Sequence, residues 1–116
     1  MEGIRYTLKH IGINNPDEES ARELCADLCR AFNLEIKGET PGSFFVGTLF
    51  EVMKLQANGA KGHIGIQTDD LEAAMEELKQ KGIGVIEKTK RFDRDGKCTF
   101  VYLDREFAGF AIHLTI

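Results

Sequence analysis

Three histidines and one glutamate of this sequence lie in strand-like segments and are of types that can bind a metal ion. His10 and His63 each open the same tetrapeptide, His-Ile-Gly-Ile, while His113 and Glu51 lie in later apolar segments. Imidazole and carboxylate groups together suit divalent transition ions. A single histidine in a strand is more often a hydrogen-bonded structural residue, so buried structural histidines are the alternative interpretation.

Strand periodicity predicts which face these side chains occupy. Successive side chains of a strand point to opposite faces, so residues of equal parity share one face. Ile11 and Ile13 therefore oppose His10, and Ile64 and Ile66 oppose His63. The last segment places apolar residues on one face (Phe110, Ile112, Leu114 and Ile116) and small or polar residues on the other (Gly109, Ala111, His113 and Thr115). We expect the apolar faces to pack against helices and the polar face of the last strand to form a cavity wall.

Strand alternation also predicts an unfavourable environment for the charge of Glu51. It shares a strand face with Leu49, Met53 and Leu55, so its charge would be surrounded by apolar neighbours. A carboxylate in that environment needs a compensating partner, and a bound cation would supply one.

The two tetrapeptides open the same series of elements. After the first, Asn15 is predicted to cap a helix, with Pro16 at its first position and an end near Asn33. After the second, Asp69 and Glu72 resemble a capping box, and Gly82 stands where a left-handed C-terminal residue belongs.

Each helix is followed by three segments with strand character. These lie at roughly 35 to 39, 43 to 47 and 48 to 55, and then at 84 to 90, 97 to 103 and 109 to 116. Pro41-Gly42 and Asp95-Gly96 mark turns between them. The sequence predicts an α+β fold in which paired βαβββ modules form a curved eight-stranded mixed sheet around a cavity. One domain, 1–116, would contain module one at about 5–56 and module two at about 61–116.

Composition restricts the partners. Lys and Arg total 15 against 19 Asp and Glu, and a net charge of −4 leaves no cationic surplus for nucleic acid. No segment approaches the roughly 20 apolar residues of a membrane helix, and no signal peptide is apparent, so we expect a cytoplasmic protein without membrane association. Cys25 and Cys29 share one helix face and are expected to be reduced, small apolar residues rather than redox or metal groups.

Four fragments resemble the vicinal oxygen chelate (glyoxalase, bleomycin resistance and dioxygenase) superfamily. They are Lys9-His10-Ile11-Gly12-Ile13, Phe50-Glu51-Val52-Met53, Gly62-His63-Ile64-Gly65-Ile66 and Phe110-Ala111-Ile112-His113-Leu114. In the metalloenzymes of this superfamily the ligands come from the first and last strands of each module. The resemblance therefore implies that His10, Glu51, His63 and His113 bind a divalent transition metal ion, which could be zinc, nickel, manganese or iron.

Two departures from the superfamily pattern concern the second module. The glyoxalases commonly have Glu where this sequence has His113, and the approach at 104–109 is not the most familiar turn. Glu51 is then the only carboxylate in the implied ligand set and the candidate catalytic base, although it could remain a ligand while another group moves the proton. Gln67 and Thr115 are candidate outer contacts, with structural roles as the alternative.

The resemblance implies one leading function and two alternatives. The leading one is a lyase or isomerase that acts on a small 2-oxo or 2-hydroxy-carbonyl compound through a metal-stabilised enediolate. The alternatives are an iron-dependent dioxygenase and a non-catalytic small-molecule-binding or regulatory module. Short strings such as Glu51-Val52-Met53-Lys54 are also similar to the glyoxalase-like domain associated with some bacterial ketohydroxyglutarate and keto-deoxy-phosphogluconate aldolases. This similarity implies a possible aldolase partner, and the superfamily implies a homodimer.

Overall fold

The order of elements repeats once along the chain. The structure is a computed structural model that describes residues 3–116. In this range the elements are β1 (Thr7–Ile13), α1 (Glu18–Phe32), β2 (Ile36–Glu39), β3 (Ser43–Val46), β4 (Phe50–Met53), β5 (Gly62–Gln67), α2 (Leu71–Gln80), a short 3₁₀ helix (Glu87–Thr89), β6 (Arg91–Phe92), β7 (Cys98–Phe107) and β8 (Phe110–Thr115). Of the helices in these residues, none is long and apolar enough to cross a membrane.

The strands form one sheet whose two halves are arranged alike. Its order is β2-β3-β4-β1-β5-β8-β7-β6. The first strand of each half pairs in parallel with the last strand of the same half, β1 with β4 and β5 with β8. Antiparallel pairing of β1 with β5 joins the halves at the centre. The predicted α+β class and eight-stranded mixed sheet are confirmed, and the sheet is not closed into a barrel. The division into modules at about 5–56 and 61–116 stays a prediction.

Each helix covers its own half of the sheet. Ala21 and Cys25 of α1 pack in one core cluster with the buried strand residues Phe44, Val46 and Val52. Leu71 and Ala74 of α2 pack in a second cluster with Cys98, Val101, Leu103 and Leu114. Both cores use the apolar face of the strands, as the alternation predicts. Cys25, only 2% exposed, acts as a small apolar core residue.

The predicted helix starts are wrong by one or two residues. Asp17, not Asn15, caps α1, because its side chain accepts a hydrogen bond from Ser20 N at 2.7 Å. Asn15 lies two residues outside and instead donates to the carbonyl of Met53 at 2.8 Å, which ties the end of β1 to β4. In the second half Asp70, not Asp69, is the cap and accepts from Ala73 N at 3.0 Å.

The predicted helix ends are confirmed. Asn33 is the C-terminal cap of α1 and has the left-handed conformation, with φ of 56°. Gly82 follows α2 with φ of +82°, a backbone conformation that glycine adopts without steric cost.

The strand predicted at 84–90 is wrong. Val85 forms only an isolated bridge with Leu103, and Glu87–Thr89 form the 3₁₀ helix. The Thr89 hydroxyl donates to the carbonyl of Ile86 at 2.6 Å, a local bond that competes with strand pairing. The edge strand is instead the short β6, which pairs with β7 across the predicted turn at Asp95-Gly96.

The two adjacent aspartates before α2 provide a test of the cap. Replacing Asp70 by alanine should lower the free energy of unfolding by about 1 kcal/mol, because the amide of Ala73 loses its side-chain acceptor. Asp69→Ala removes the same charge one residue earlier and is the matched control. Urea denaturation followed by circular dichroism measures both, and equal losses would contradict the assignment of the cap.

Candidate metal centre

The centre of the sheet brings four polar side chains around two glycines. Gly12 of β1 is aligned with Glu51 on β4 and with His63 on β5. Gly65 of β5 is aligned with His10 on β1 and with His113 on β8. Glu51 and His113 therefore occupy equivalent positions in the two halves, as do His10 and His63.

The glycines of the repeated tetrapeptide leave space for the imidazole rings. A methyl group added at Gly12 would lie 2.0 Å from Cε1 of His63. One added at Gly65 would lie 2.8 Å from Cε1 of His10 and 2.9 Å from Cε1 of His113. Each His-Ile-Gly-Ile copy thus supplies a histidine and also the space that the rings from the neighbouring strands occupy.

The four side chains converge through single atoms. His10 Nε2 lies 3.1 Å from His63 Nε2 and 3.3 Å from His113 Nε2. Glu51 Oε1 lies 3.0 Å from His63 Nε2 and 3.6 Å from His10 Nε2. The structure therefore brings together every residue that the sequence proposed as a ligand.

Hydrogen bonding alone accounts poorly for this cluster. A ring nitrogen carries either a proton or a lone pair, never both. If His63 Nε2 carries a proton and donates it to Glu51, His63 Nε2 cannot accept a hydrogen bond from His10. Its one proton would then have to be shared between Glu51 and His10. A cation placed between the four atoms would accept all their lone pairs at once.

The spacing suits a shared metal ion. Ligand atoms about 2.0 to 2.1 Å from one ion, at angles between about 90 and 110°, lie roughly 2.8 to 3.4 Å from one another. The measured separations of 3.0 to 3.6 Å are close to this range. The ligand atoms of His10, His63 and His113 all lie within 4.8 Å of one another and could hold such an ion.

Packing and one serine hold the groups in place. The Ser43 hydroxyl donates to Glu51 Oε2 at 2.9 Å and itself lies 3.0 Å from Thr40 Oγ1, so Oε1 is left to face the histidines. Nδ1 of His63 and of His113 is buried with no hydrogen-bond partner among residues 3–116. Those two rings are positioned by contact instead: His63 over Gly12, and His113 stacked on Phe100 with ring centroids 4.5 Å apart.

The charge states at neutral pH are those a metal ion requires. The hydrogen bond with His63, and then that from Ser43, keep the pKa of Glu51 below its usual value against the opposing effect of burial. Burial lowers the pKa of His10, and the neighbouring His63 adds to the effect. Burial, followed by repulsion from His10 and His63, lowers the pKa of His113 to about 4. The carboxylate is thus ionised while His10 and His113 are neutral, and metal binding needs both conditions.

The four residues lie in the wall of an open cavity of about 350 Å³. Thr115 lines it as well, whereas Gln67 does not. Sequence reasoning missed Arg91, Phe100 and Tyr102, which also line the cavity. Alternation on β7 could have indicated that Phe100 and Tyr102 share a face, but their approach to His113 depends on the pairing of β7 with β8.

Paired βαβββ modules that meet in one mixed sheet, with a polar site at their junction, define the vicinal oxygen chelate fold, and this chain has that fold. The structural neighbours include two methylmalonyl-CoA epimerases. The enzyme from Mycobacterium tuberculosis is 17% identical over 93% of this chain and 85% of its own, with a TM-score of 0.63. The enzyme from Streptomyces coelicolor, in complex with 2-nitronate-propionyl-CoA, is 17% identical over 93% and 92%, with a TM-score of 0.59.

A third neighbour is a hypothetical protein from Bacillus halodurans. It is 18% identical over 95% of this chain and 93% of its own, with a TM-score of 0.63. No protein-family model matches the sequence, and neither does any curated protein. At these identities the likeness establishes the fold alone, which confirms the superfamily resemblance at that level.

The glycines predict a selective loss of metal affinity. Gly65→Ala should weaken binding of zinc or nickel at least about 10-fold, because the new methyl group displaces the rings of His10 and His113. Gly38→Ala in β2 is the matched control, since a methyl group at Gly38 would meet only the Phe45 side chain, at 3.9 Å. Calorimetric titration measures both variants, and equal affinities would contradict the packing argument.

Burial of His113 predicts acid sensitivity of the metal-free protein. The pKa of His113 is about 4 in the folded protein against an ordinary value of 6.5, so between pH 4 and pH 6.5 the unfolded chain binds a proton that the folded protein does not. The free energy of unfolding should therefore be unaffected above this window and fall by about 2 to 3 kcal/mol between pH 7 and pH 4.5.

Urea denaturation in the presence of a chelator measures this change. His113→Gln should lose most of the pH dependence in this window, because no buried imidazole is left to resist protonation at that position. A variant with the same slope as the natural sequence would contradict the assigned cause.

Proposed function

We propose that the protein is a metal-dependent isomerase or lyase that moves a proton next to the carbonyl group of a small substrate. The observation that carries this proposal is the convergence of His10, Glu51, His63 and His113 through single atoms at one wall of an open cavity. In this proposal all four residues are metal ligands. A divalent ion bound there would act as a Lewis acid on a substrate oxygen and stabilise the negative charge that develops after proton removal.

The neighbours support the isomerase form of the proposal. Three of the neighbouring structures are methylmalonyl-CoA epimerases, one of them in complex with methylmalonyl-CoA and ammonium. An epimerase inverts one carbon centre, and removal of a proton from one face of the carbon beside a carbonyl group, followed by return of a proton to the opposite face, achieves this inversion. A carbonyl compound, as an acid or a thioester, is therefore the substrate class we favour.

The protein groups have separate roles in this reaction. His10 and His113, whose pKa values are lowered, remain neutral and so can present lone pairs to the ion. Ser43 fixes Oε2 of Glu51, and Oε1, which faces the histidines, would leave the ion to accept a proton from a bound substrate. Tyr102 lines the same cavity and receives a hydrogen bond from the Asn58 amide at 3.0 Å, so its own proton is free for a substrate oxygen. Burial raises the pKa of Tyr102 and keeps that proton in place at neutral pH.

Glu51 is the catalytic base in this proposal. Its lowered pKa makes the carboxylate a weak base in the absence of substrate. Closure of the cavity around an apolar part of the substrate would strengthen it by removing water. A cytoplasmic location, a homodimer and association with an aldolase remain predictions from the sequence.

Metal content is the first test. Protein purified without a chelator should contain up to one divalent transition ion per chain by mass spectrometry. Glu51→Gln should bind the ion at least about 10-fold more weakly, since a neutral amide replaces the ionised ligand. Glu35→Gln, a change of the same charge at an exposed residue, should bind as the natural sequence does. Equal binding by the natural protein and a His10→Gln, His63→Gln double variant would contradict a site at these residues.

Solvent exchange tests the proton transfer without knowledge of the product. The metal-loaded protein is incubated in deuterated water with 2-oxo acids, 2-hydroxy carbonyl compounds and acyl-CoA thioesters. Nuclear magnetic resonance should detect deuterium at the carbon beside the carbonyl group of a substrate, and Glu51→Gln should abolish it. Ligand binding without exchange, unchanged in Glu51→Gln, would instead identify a non-catalytic binding module.

A further inference from the structure

The lining of the site cavity includes cationic groups that the proposed reaction does not use. Lys9 and Arg91 both line the cavity. Among residues 3–116, no carboxylate lies within ion-pair distance of either side chain. The acid that lines the same cavity, Glu51, already contacts two histidines. The cavity therefore has unbalanced positive charge before any metal ion is added.

Arg91 is an exposed residue whose guanidinium lies over one aromatic ring of the cavity. Its guanidinium carbon lies 4.3 Å from the centroid of Phe100, on a ring that stacks on His113 at 4.5 Å. The guanidinium therefore lies near the His113 ring, because both groups contact the same Phe100 ring. A flat guanidinium held against an aromatic ring can still direct its N–H groups to a carboxylate or phosphate in the paired geometry that suits it.

The cavity continues past Arg91 onto more positive charge. A second cavity of about 300 Å³ shares Asn58, Arg91, Phe100 and Tyr102 with the first and adds Lys88 and Lys90. Lys90 is neutralised by Glu87 at 2.6 Å, whereas Lys88 has no carboxylate within ion-pair distance in the described part of the chain. The extra charge lies on the side of Arg91, which gives the site a reactive end and an anion-binding end.

We propose that the substrate carries a second anionic group, a carboxylate or a phosphate, and that Arg91 binds it while the reactive carbonyl lies at the histidines. This inference rests on the proposed function for the reactive end only. Arg91 thereby selects dianionic substrates over compounds with a single acidic group, and it contacts the substrate away from the bond that changes.

Binding of three small acids tests the proposal. Pyruvate has one anionic group, 2-oxoglutarate adds a carboxylate, and phosphohydroxypyruvate adds a phosphate. Calorimetric titration of the metal-loaded protein should give at least one of the last two an affinity about 10-fold or more above that of pyruvate, the effect of one charge-assisted hydrogen bond pair. Which of the two shows the advantage distinguishes carboxylate from phosphate recognition.

Variants of Arg91 and of the nearby Arg94 test whether the preference for dianionic acids depends on Arg91. Arg91→Gln should lose the advantage and leave pyruvate binding within about 2-fold, and Arg91→Lys should recover part of it because a cation remains. Arg94→Gln removes the same charge from an exposed residue that does not line the cavity, and it should bind all three acids as the natural protein does. Metal content and thermal unfolding of each variant are measured in the same samples.

The outcomes separate this inference from the proposed function. If the natural protein binds metal but shows no preference for either dianion, or if Arg91→Gln retains the preference, the role of Arg91 is overturned and the metal site stands. If the protein binds no metal, the same titrations are made on the metal-free protein. A preference lost in Arg91→Gln would then support the anion site alone, and any other result would overturn it.

Discussion

The structure depends on one steric constraint at the junction of its halves: an imidazole ring must lie over a residue without a side chain. β1 and β5 pair with Gly12 opposite His63 and His10 opposite Gly65. Each ring would overlap any other residue at the aligned position. The pairing of β1 with β5 also joins the two halves of the sheet, so the same contact brings the ring nitrogens of the histidines close together. The cores under α1 and α2 lie on the opposite face and leave this side open to a ligand.

Much of the fold follows from periodic patterns that can be recognised in the sequence alone. The repeated tetrapeptide marks the two first strands, the spacing of apolar residues marks both helices, and Pro41-Gly42 and Asp95-Gly96 mark turns. The parity of Glu51 and His113 places each on the face of its strand that meets the glycines. Their equivalent registers, Gly12 with Glu51 and Gly65 with His113, then follow from a duplicated module.

Other features depend on contacts that no local pattern contains. The caps fell on Asp17 and Asp70 because the helix begins where the chain leaves the sheet, and Asn15 was already bonded to β4. The segment at 84–90 has apolar residues in a strand-like order, but it pairs with β7 only through the Val85 bridge and continues as a 3₁₀ helix, in which the Thr89 hydroxyl bonds to the carbonyl of Ile86. Arg91 and Tyr102 reach the site only because β6 and β7 continue the sheet beside β8. Sequence parity cannot fix which strand lies next to which.

The near symmetry of the two modules has a stereochemical consequence. Two identical halves would present the same groups to both faces of a flat molecule lying between them. Here the position that holds a carboxylate in one half holds an imidazole in the other, and of the residues that line the cavity the guanidinium of Arg91 belongs to the second half. A flat guest would therefore meet unlike surroundings above and below its plane, and the Glu-to-His difference between the duplicated strands contributes to this asymmetry.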